Sequence, residues 1–227
     1  MMTGRISKVI IFSAAVLILT GCFSKAVPDW QSTGFSHLES FKKEFLSGDD
    51  ERASRSFEKA IVEIKKSGRV DILAKAYLTR CAVAVAALEK GECGEYLQIR
   101  DLLQDRKEDT YYAFITGNRG KVDERLLPEG YRPFFHALTV GSVADINKAL
   151  EAMESPLSRV IAAGLSIKQG IFDETTIIMA IDTASYQGWK KTLVRYLEAL
   201  KALYERNGEK ARAERVQERI NAMSLKK

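Results

Sequence analysis

The sequence predicts an all-α protein built from antiparallel helical hairpins. Three observations carry that reading. Helix formers are abundant, while proline occupies 4 and glycine 15 of 227 positions. Apolar residues recur at spacings of three and four through most of the chain. Clusters of Gly, Asn, Asp and Ser interrupt that periodicity often enough for each helix to fold back on its neighbour. An apolar share of 46% with 29% charged residues belongs to an ordinary folded protein and excludes a disordered, collagen-like or polytopic membrane chain.

The first 21 residues read as an export segment. Arg5 and Lys8 precede an uncharged, largely apolar stretch over 9–19. This is shorter than the about 20 residues a spanning helix needs, and it ends in small residues. Leu19, Thr20, Gly21 and Cys22 together resemble the lipobox of bacterial lipoproteins. The resemblance implies removal of residues 1–21, which leaves 206, and conversion of Cys22 into a thioether-linked, acylated first residue. Each buried CH₂ of an acyl chain such as palmitate contributes about 0.8 kcal/mol of membrane affinity. Phe23 and Ser24, with no Asp after the cysteine, further imply the outer membrane, on its periplasmic face. Residues 22–34, with Ser24, Pro28, Ser32, Thr33 and Gly34, read as a lipidated tether, and 35–227 as one helical domain.

Within that domain, Phe35, Leu38, Phe41, Phe45 and Leu46 predict a first helix, stopped at Ser47, Gly48, Asp49 and Asp50. Ala53, Phe57, Ala60, Ile61 and Ile64 predict its partner. A largely buried helix follows over about 70–88, because its AVAVAA centre leaves little polar surface, and a short one over about 94–105. The aromatic residues from Tyr111 to Phe114 lead into a turn-rich crossing at 117–130. Beyond it, helices are expected over about 131–138, over 144–153 opened by Ser142 and Asp145, and over 157–169 with Pro156 in its first turn. Two further elements follow, over about 174–186 capped by Asp173 and over about 193–204. After the turn at Asn207 and Gly208, a last helix is expected over about 211–223. The total is eight to ten helices.

The segment GDDERASRSFEKA resembles the middle of a tetratricopeptide repeat, with Gly48 ending one helix, Ala53 and Ala60 at close crossings and Phe57 filling between them. Tyr204, Gly208 and Ala213 are similar to a second copy, degenerate because Gln217 stands where a large apolar residue is expected. That likeness implies a tetratricopeptide-like or irregular right-handed α-solenoid whose curved surface binds a protein or peptide.

Cys81 and Cys93 are an even pair in an exported chain, so a disulfide is allowed. Helical rise between them argues for a separation beyond the roughly 4.4–6.8 Å between Cα atoms that a bond requires. Both alternatives stay open. The formal charge of +5 falls to +3 without Arg5 and Lys8, and it is uneven: residues 189–227 hold eleven Lys/Arg against five Glu. Such an end suits anionic lipid headgroups, peptidoglycan or an acidic partner. Equally, it reads as a solvated face in which Glu198, Glu205, Glu209, Glu214 and Glu218 form local pairs.

No HExxH, GxSxG or phosphate-binding glycine loop occurs, His37 and His136 are isolated, and no recognition motif for nucleic acid is present. No metal and no cofactor are expected. His136, in YRPFFHAL, reads as a partly buried helix residue. Glu92, Glu95, Asp101, Glu108 and Asp109 read as a solvated acidic face. The expectation is a binding protein and not an enzyme: an envelope adaptor or assembly lipoprotein, attached to the bilayer through Cys22. Arg119, Lys121, Arg125, Tyr131 and Arg132 are the residues expected to contact its protein partner, or else to cover a long connection. The alternative is a small-ligand or glycan-binding lipoprotein, and a hydrolase ranks behind both.

Overall fold

A computed structural model describes residues 27–91, 93–103 and 106–224; the stretch expected to be an export segment, and Cys22, lie outside them. The described residues form eleven α-helices and no strand. None of these helices is long and apolar enough to cross a membrane.

Helix α1 (Asp29–Ser47) starts six residues earlier than the periodicity predicts, so half of the expected tether is folded. Gly34, read from sequence as part of the tether, lies buried inside α1, where a Cβ would stand 3.2 Å from Ile64 Cγ1 of α2 (Asp50–Lys65). A close approach between two helices thus outweighs glycine's poor helix propensity. Gly48 takes the left-handed conformation at φ 94°, and Asp49 caps α2 by accepting from the Arg52 N–H at 3.1 Å. Phe57 fills the hairpin against Phe41 at 4.8 Å, while Ala53 and Ala60 are buried at the crossings. The roles assigned to these four residues are the ones they play.

Helix α3 (Val70–Ala86) is buried along most of its length, most completely over the AVAVAA run at 82–87 that predicts it. After it the chain reverses at Leu88, whose φ is 56°, with the Glu89 N–H donating back to the Ala84 carbonyl. Gly91 then lies so close that a Cβ on it would meet the Cys81 carbonyl oxygen at 3.0 Å. Cys81 and Cys93 are joined as a disulfide, with Cα atoms 5.6 Å apart. The separation argument from helical rise fails because α3 stops at Ala86 and the chain turns back along it.

The next helices are α4 (Gly94–Ile99), shorter than expected and continued by a 3-10 turn, and α5 (Lys107–Ile115), formed where only aromatic residues were noted. Three 3-10 turns (Arg119–Lys121, Glu124–Leu126 and Glu129–Tyr131) make up the irregular crossing. Then come α6 (Arg132–Val140), α7 (Val143–Glu151), α8 (Pro156–Lys168), α9 (Glu174–Tyr186), α10 (Lys190–Arg206) and α11 (Lys210–Ser224). Ser142 with Asp145 and Asp173 with Thr176 form reciprocal capping boxes, opening α7 and α9 where the sequence places them. Neighbouring helices pack as pairs at α1–α2, α6–α7, α8–α9, α9–α10 and α10–α11, and α3 also packs on α8 while α1 packs on α10. The fold is an irregular, tetratricopeptide-like helical array whose two ends touch.

The basic C-terminal segment carries local pairs: Arg195 with Glu198, Lys201 with Glu205 and Arg212 with Glu209. Arg212 also pairs with Glu174 on α9, and that carboxylate accepts from the Tyr204 hydroxyl at 2.8 Å.

Candidate ligand-binding site

The irregular crossing leaves one side of the array unfilled. A cavity of about 600 Å³ opens there between α3, α5, the start of α8 and the chain from Arg125 to Arg132, with Lys42 of α1 on its rim. Its size lies inside the ~300–1,000 Å³ range of small-ligand sites. Helical spacing explains which residues face it. Lys75, Leu78, Thr79 and Ala82 stand three and four apart on α3, as do Lys107, Glu108 and Tyr111 on α5 and Leu157, Ser158 and Ile161 on α8.

The walls are apolar: Leu78, Ala82, Val83, Leu127, Leu157 and Ile161. Polar groups sit in three places. The Tyr111 and Tyr131 phenols interact with one another, and Tyr131 also interacts with the Ser158 hydroxyl. Desolvation, then the neighbouring Tyr131, pushes the Tyr111 phenol well above its ordinary value, and desolvation likewise raises Tyr131, so both are neutral hydroxyls. Five cations line the cavity (Lys42, Lys75, Lys107, Arg125 and Arg132) against only two carboxylates, Glu108 and Glu129. Glu108 is 6% exposed, and its Oε2 has no hydrogen-bond partner. Its Oε1 lies 3.7 Å from Lys75 Nζ, too far for a good hydrogen bond. Buried polar atoms are almost always satisfied, and an unpaired one costs about 1–3 kcal/mol, more when charged.

Of the five residues singled out from sequence, the structure brings three together at this cavity. Tyr131 is buried in its wall. Arg132 donates to the carbonyls of Leu127 and Arg125 at 3.0 and 2.9 Å, which shapes the crossing itself, and Arg125 pairs with Asp123. Arg119 and Lys121 lie apart. Arg119 donates to the Leu138 carbonyl of α6 at 2.8 Å, and Lys121 lines a separate polar depression with Arg100, Arg106 and Asp109.

The acidic residues disperse rather than forming one face. Glu95 pairs with Arg80, and Asp109 accepts from the Tyr96 hydroxyl and from Arg100; Glu92 lies outside the described residues. Glu108 is the one the solvated-face reading misplaces. Its neighbours on α5, Thr110 to Ile115, leave that helix little polar face to carry it outward, a signal present in the sequence but not distinctive. His136 is exposed on α6, and not partly buried as expected. Among the described residues no group of three or more His, Cys, Asp or Glu side chains converges as a metal site would require.

No protein-family model, curated protein or solved structure matches the chain. The cavity's own chemistry must therefore indicate what it holds. Its hydroxyls, its buried Glu108 carboxylate and its cations can orient the polar groups of a ligand whose body lies on the apolar walls.

Proposed function

We propose that the protein is a bacterial envelope lipoprotein that acts by binding and not by catalysis: anchored through Cys22 to the outer membrane, it docks a segment of a protein partner on its helical body. The observation that carries this is the solvent-open cavity with apolar walls and an excess of cations. Leu19, Thr20, Gly21 and Cys22 support the anchor. Cys22 precedes α1 by seven residues, so at most about 25 Å of extended chain separates the lipid from Asp29. Such an adaptor holds its partner close to the bilayer.

The experiment is site-specific photo-cross-linking in intact cells, with the cross-linker at Thr79 on the cavity or at the exposed Tyr186 of α9. A reproducible protein adduct from Thr79 and not from Tyr186 is expected, and Cys22→Ser should move the protein from the membrane to the soluble fraction. Failure to obtain any Thr79 adduct would remove the adaptor reading; a Cys22→Ser protein still in the membrane would remove the lipid anchor. A small-ligand-binding lipoprotein is the second reading. It is favoured by the cavity's size and by the convergence of Glu108, Tyr111, Tyr131 and Ser158 on it.

A further inference from the structure

We infer that the end of the first hairpin nearest Cys22 is a membrane-contact surface: it rests on the anionic face of the bilayer that holds the anchor, with Val62 among the headgroups and Lys59 and Lys65 on their phosphates. The inference rests on the lipid anchor proposed above and names what else in the chain meets the bilayer. Gly34 shows which end this is. A Cβ there would face Ile64 and Glu63, so the start of α1 lies beside the end of α2. Cys22 precedes Val27 by five residues, at most about 18 Å of extended chain. This end is therefore the part of the described fold that the lipid holds nearest the bilayer.

Its surface suits that position. Among the described residues eight large apolar side chains are exposed, and three of them, Val27, Phe35 and Val62, lie within about two turns of this end. Val62 is 58% exposed, and helical spacing puts Glu58, Lys59, Lys65 and Lys66 around it, three cations against one carboxylate. Lys66 pairs with Glu63 at 2.7 Å, and Arg69, in the turn beyond, pairs with Asp71. Neither Lys59 nor Lys65 has a carboxylate at ion-pair distance among the described residues, and Asp29, which opens α1, is the remaining acid at this end. An exposed aliphatic side chain ringed by lysines fits a headgroup layer, because the apolar group enters it while each lysine extends to a phosphate, gaining about 1 kcal/mol on an anionic surface. Such a contact is weak alone. The anchor makes it intramolecular, so a weak contact suffices to orient the body.

The two tryptophans read the contact. Trp30 lies in the first turn of α1, whereas Trp189 precedes α10, whose start meets Phe45 and Leu46 about 24 Å further along the α1 axis. Full-length protein purified from membranes is reconstituted into vesicles of phosphatidylethanolamine and phosphatidylglycerol, with and without a phosphatidylcholine brominated near its headgroup as a short-range quencher. In a Trp189→Phe protein the Trp30 emission should fall at least twofold with the quencher, and in a Trp30→Phe protein the Trp189 emission should not change. Val62→Glu with Lys59→Glu and Lys65→Glu, all at exposed positions, should restore the Trp30 emission, whereas Lys59→Arg with Lys65→Arg should not. Trp30 left unquenched, quenched no more than Trp189, or quenched equally in the triple variant overturns the inference. So does a photo-cross-linker at Val62 that captures a protein and no lipid in intact cells. Flotation of the vesicles reports the anchor separately: protein that floats with Trp30 unquenched keeps the anchor and loses the contact surface, and protein that does not float loses both.

Discussion

At Gly164 a Cβ would stand 2.4 Å from the Val85 carbonyl oxygen and 3.1 Å from the Tyr196 hydroxyl, so the backbones of α3 and α8 meet in a space that admits no side chain. The Tyr196 hydroxyl beside it donates to the Val160 carbonyl at 2.8 Å, and Tyr196 is fully buried. Two effects of Gly164→Ala oppose one another. Alanine gains up to about 1 kcal/mol of helix propensity, but neither a carbonyl oxygen nor a buried phenol can retreat from the new methyl without moving a helix. The clash dominates. A net loss of about 1–3 kcal/mol in unfolding free energy is expected by urea denaturation; an unchanged or increased stability would show that α3 and α8 are not in such close contact.

At the scale of an element, α4 and its following turn are pinned to α5 through one carboxylate. Asp109 accepts from the Tyr96 hydroxyl at 2.5 Å and from Arg100 Nε at 2.7 Å. Desolvation pushes its pKa up, but the hydrogen bonds from Tyr96 and Arg100, with the positive charges of Arg100 and Arg106, outweigh it and hold the carboxyl below its ordinary value. A carboxyl with a folded pKa below its unfolded value of about 3.9 contributes stability above that pH and loses the contribution as pH falls through the folded pKa. The Tm gap between the parent and Asp109→Asn should therefore be widest above about pH 5 and narrow below about pH 3. A gap independent of pH would mean that the clamp acts through shape alone. Much at this scale was legible in the sequence, because caps and hairpins are local. Ser142 with Asp145, Asp173, and Gly48 with Phe57 all read correctly within a few residues of themselves. What was illegible depends on distant partners. Gly34 reads as tether until Ile64, thirty residues on, is placed against it, and the Cys81–Cys93 bond depends on a reversal at Leu88 that no turn signature announces. At the cavity the sequence supplied Arg125, Tyr131 and Arg132 as an irregular basic and aromatic cluster. It could not supply Glu108, whose burial comes from α3 and the crossing closing over α5.

For the whole molecule, the contact between its two ends changes what kind of array this is. An open solenoid contacts only sequence neighbours, so its end repeats can unfold separately. Here Lys191 at the start of α10 reaches Asp50 of α2 at 2.8 Å and Glu89 after α3 at 3.0 Å, with its ammonium 3.8 Å from the centre of the Phe45 ring. The Thr192 hydroxyl donates to the Leu46 carbonyl beside it, and Lys168 of α8 donates to the Glu89 carbonyl at 2.6 Å. Removing the first hairpin would thus strip a packed face from α10, and loosening α10 would expose the end of α1. Two states follow from that mutual dependence, despite the repeat-like sequence. The chain's two tryptophans test it, because Trp30 lies in the first turn of α1 and Trp189 immediately precedes α10. In Trp30→Phe and Trp189→Phe variants the remaining tryptophan reports one partner of the closure at a time. With each variant's fluorescence followed against its own far-UV circular dichroism in urea, the two probes should give coincident midpoints in both proteins. A Trp30 signal that melts ahead of the helical signal would mean that α1 frays independently and that the α1–α10 contact does not couple the ends.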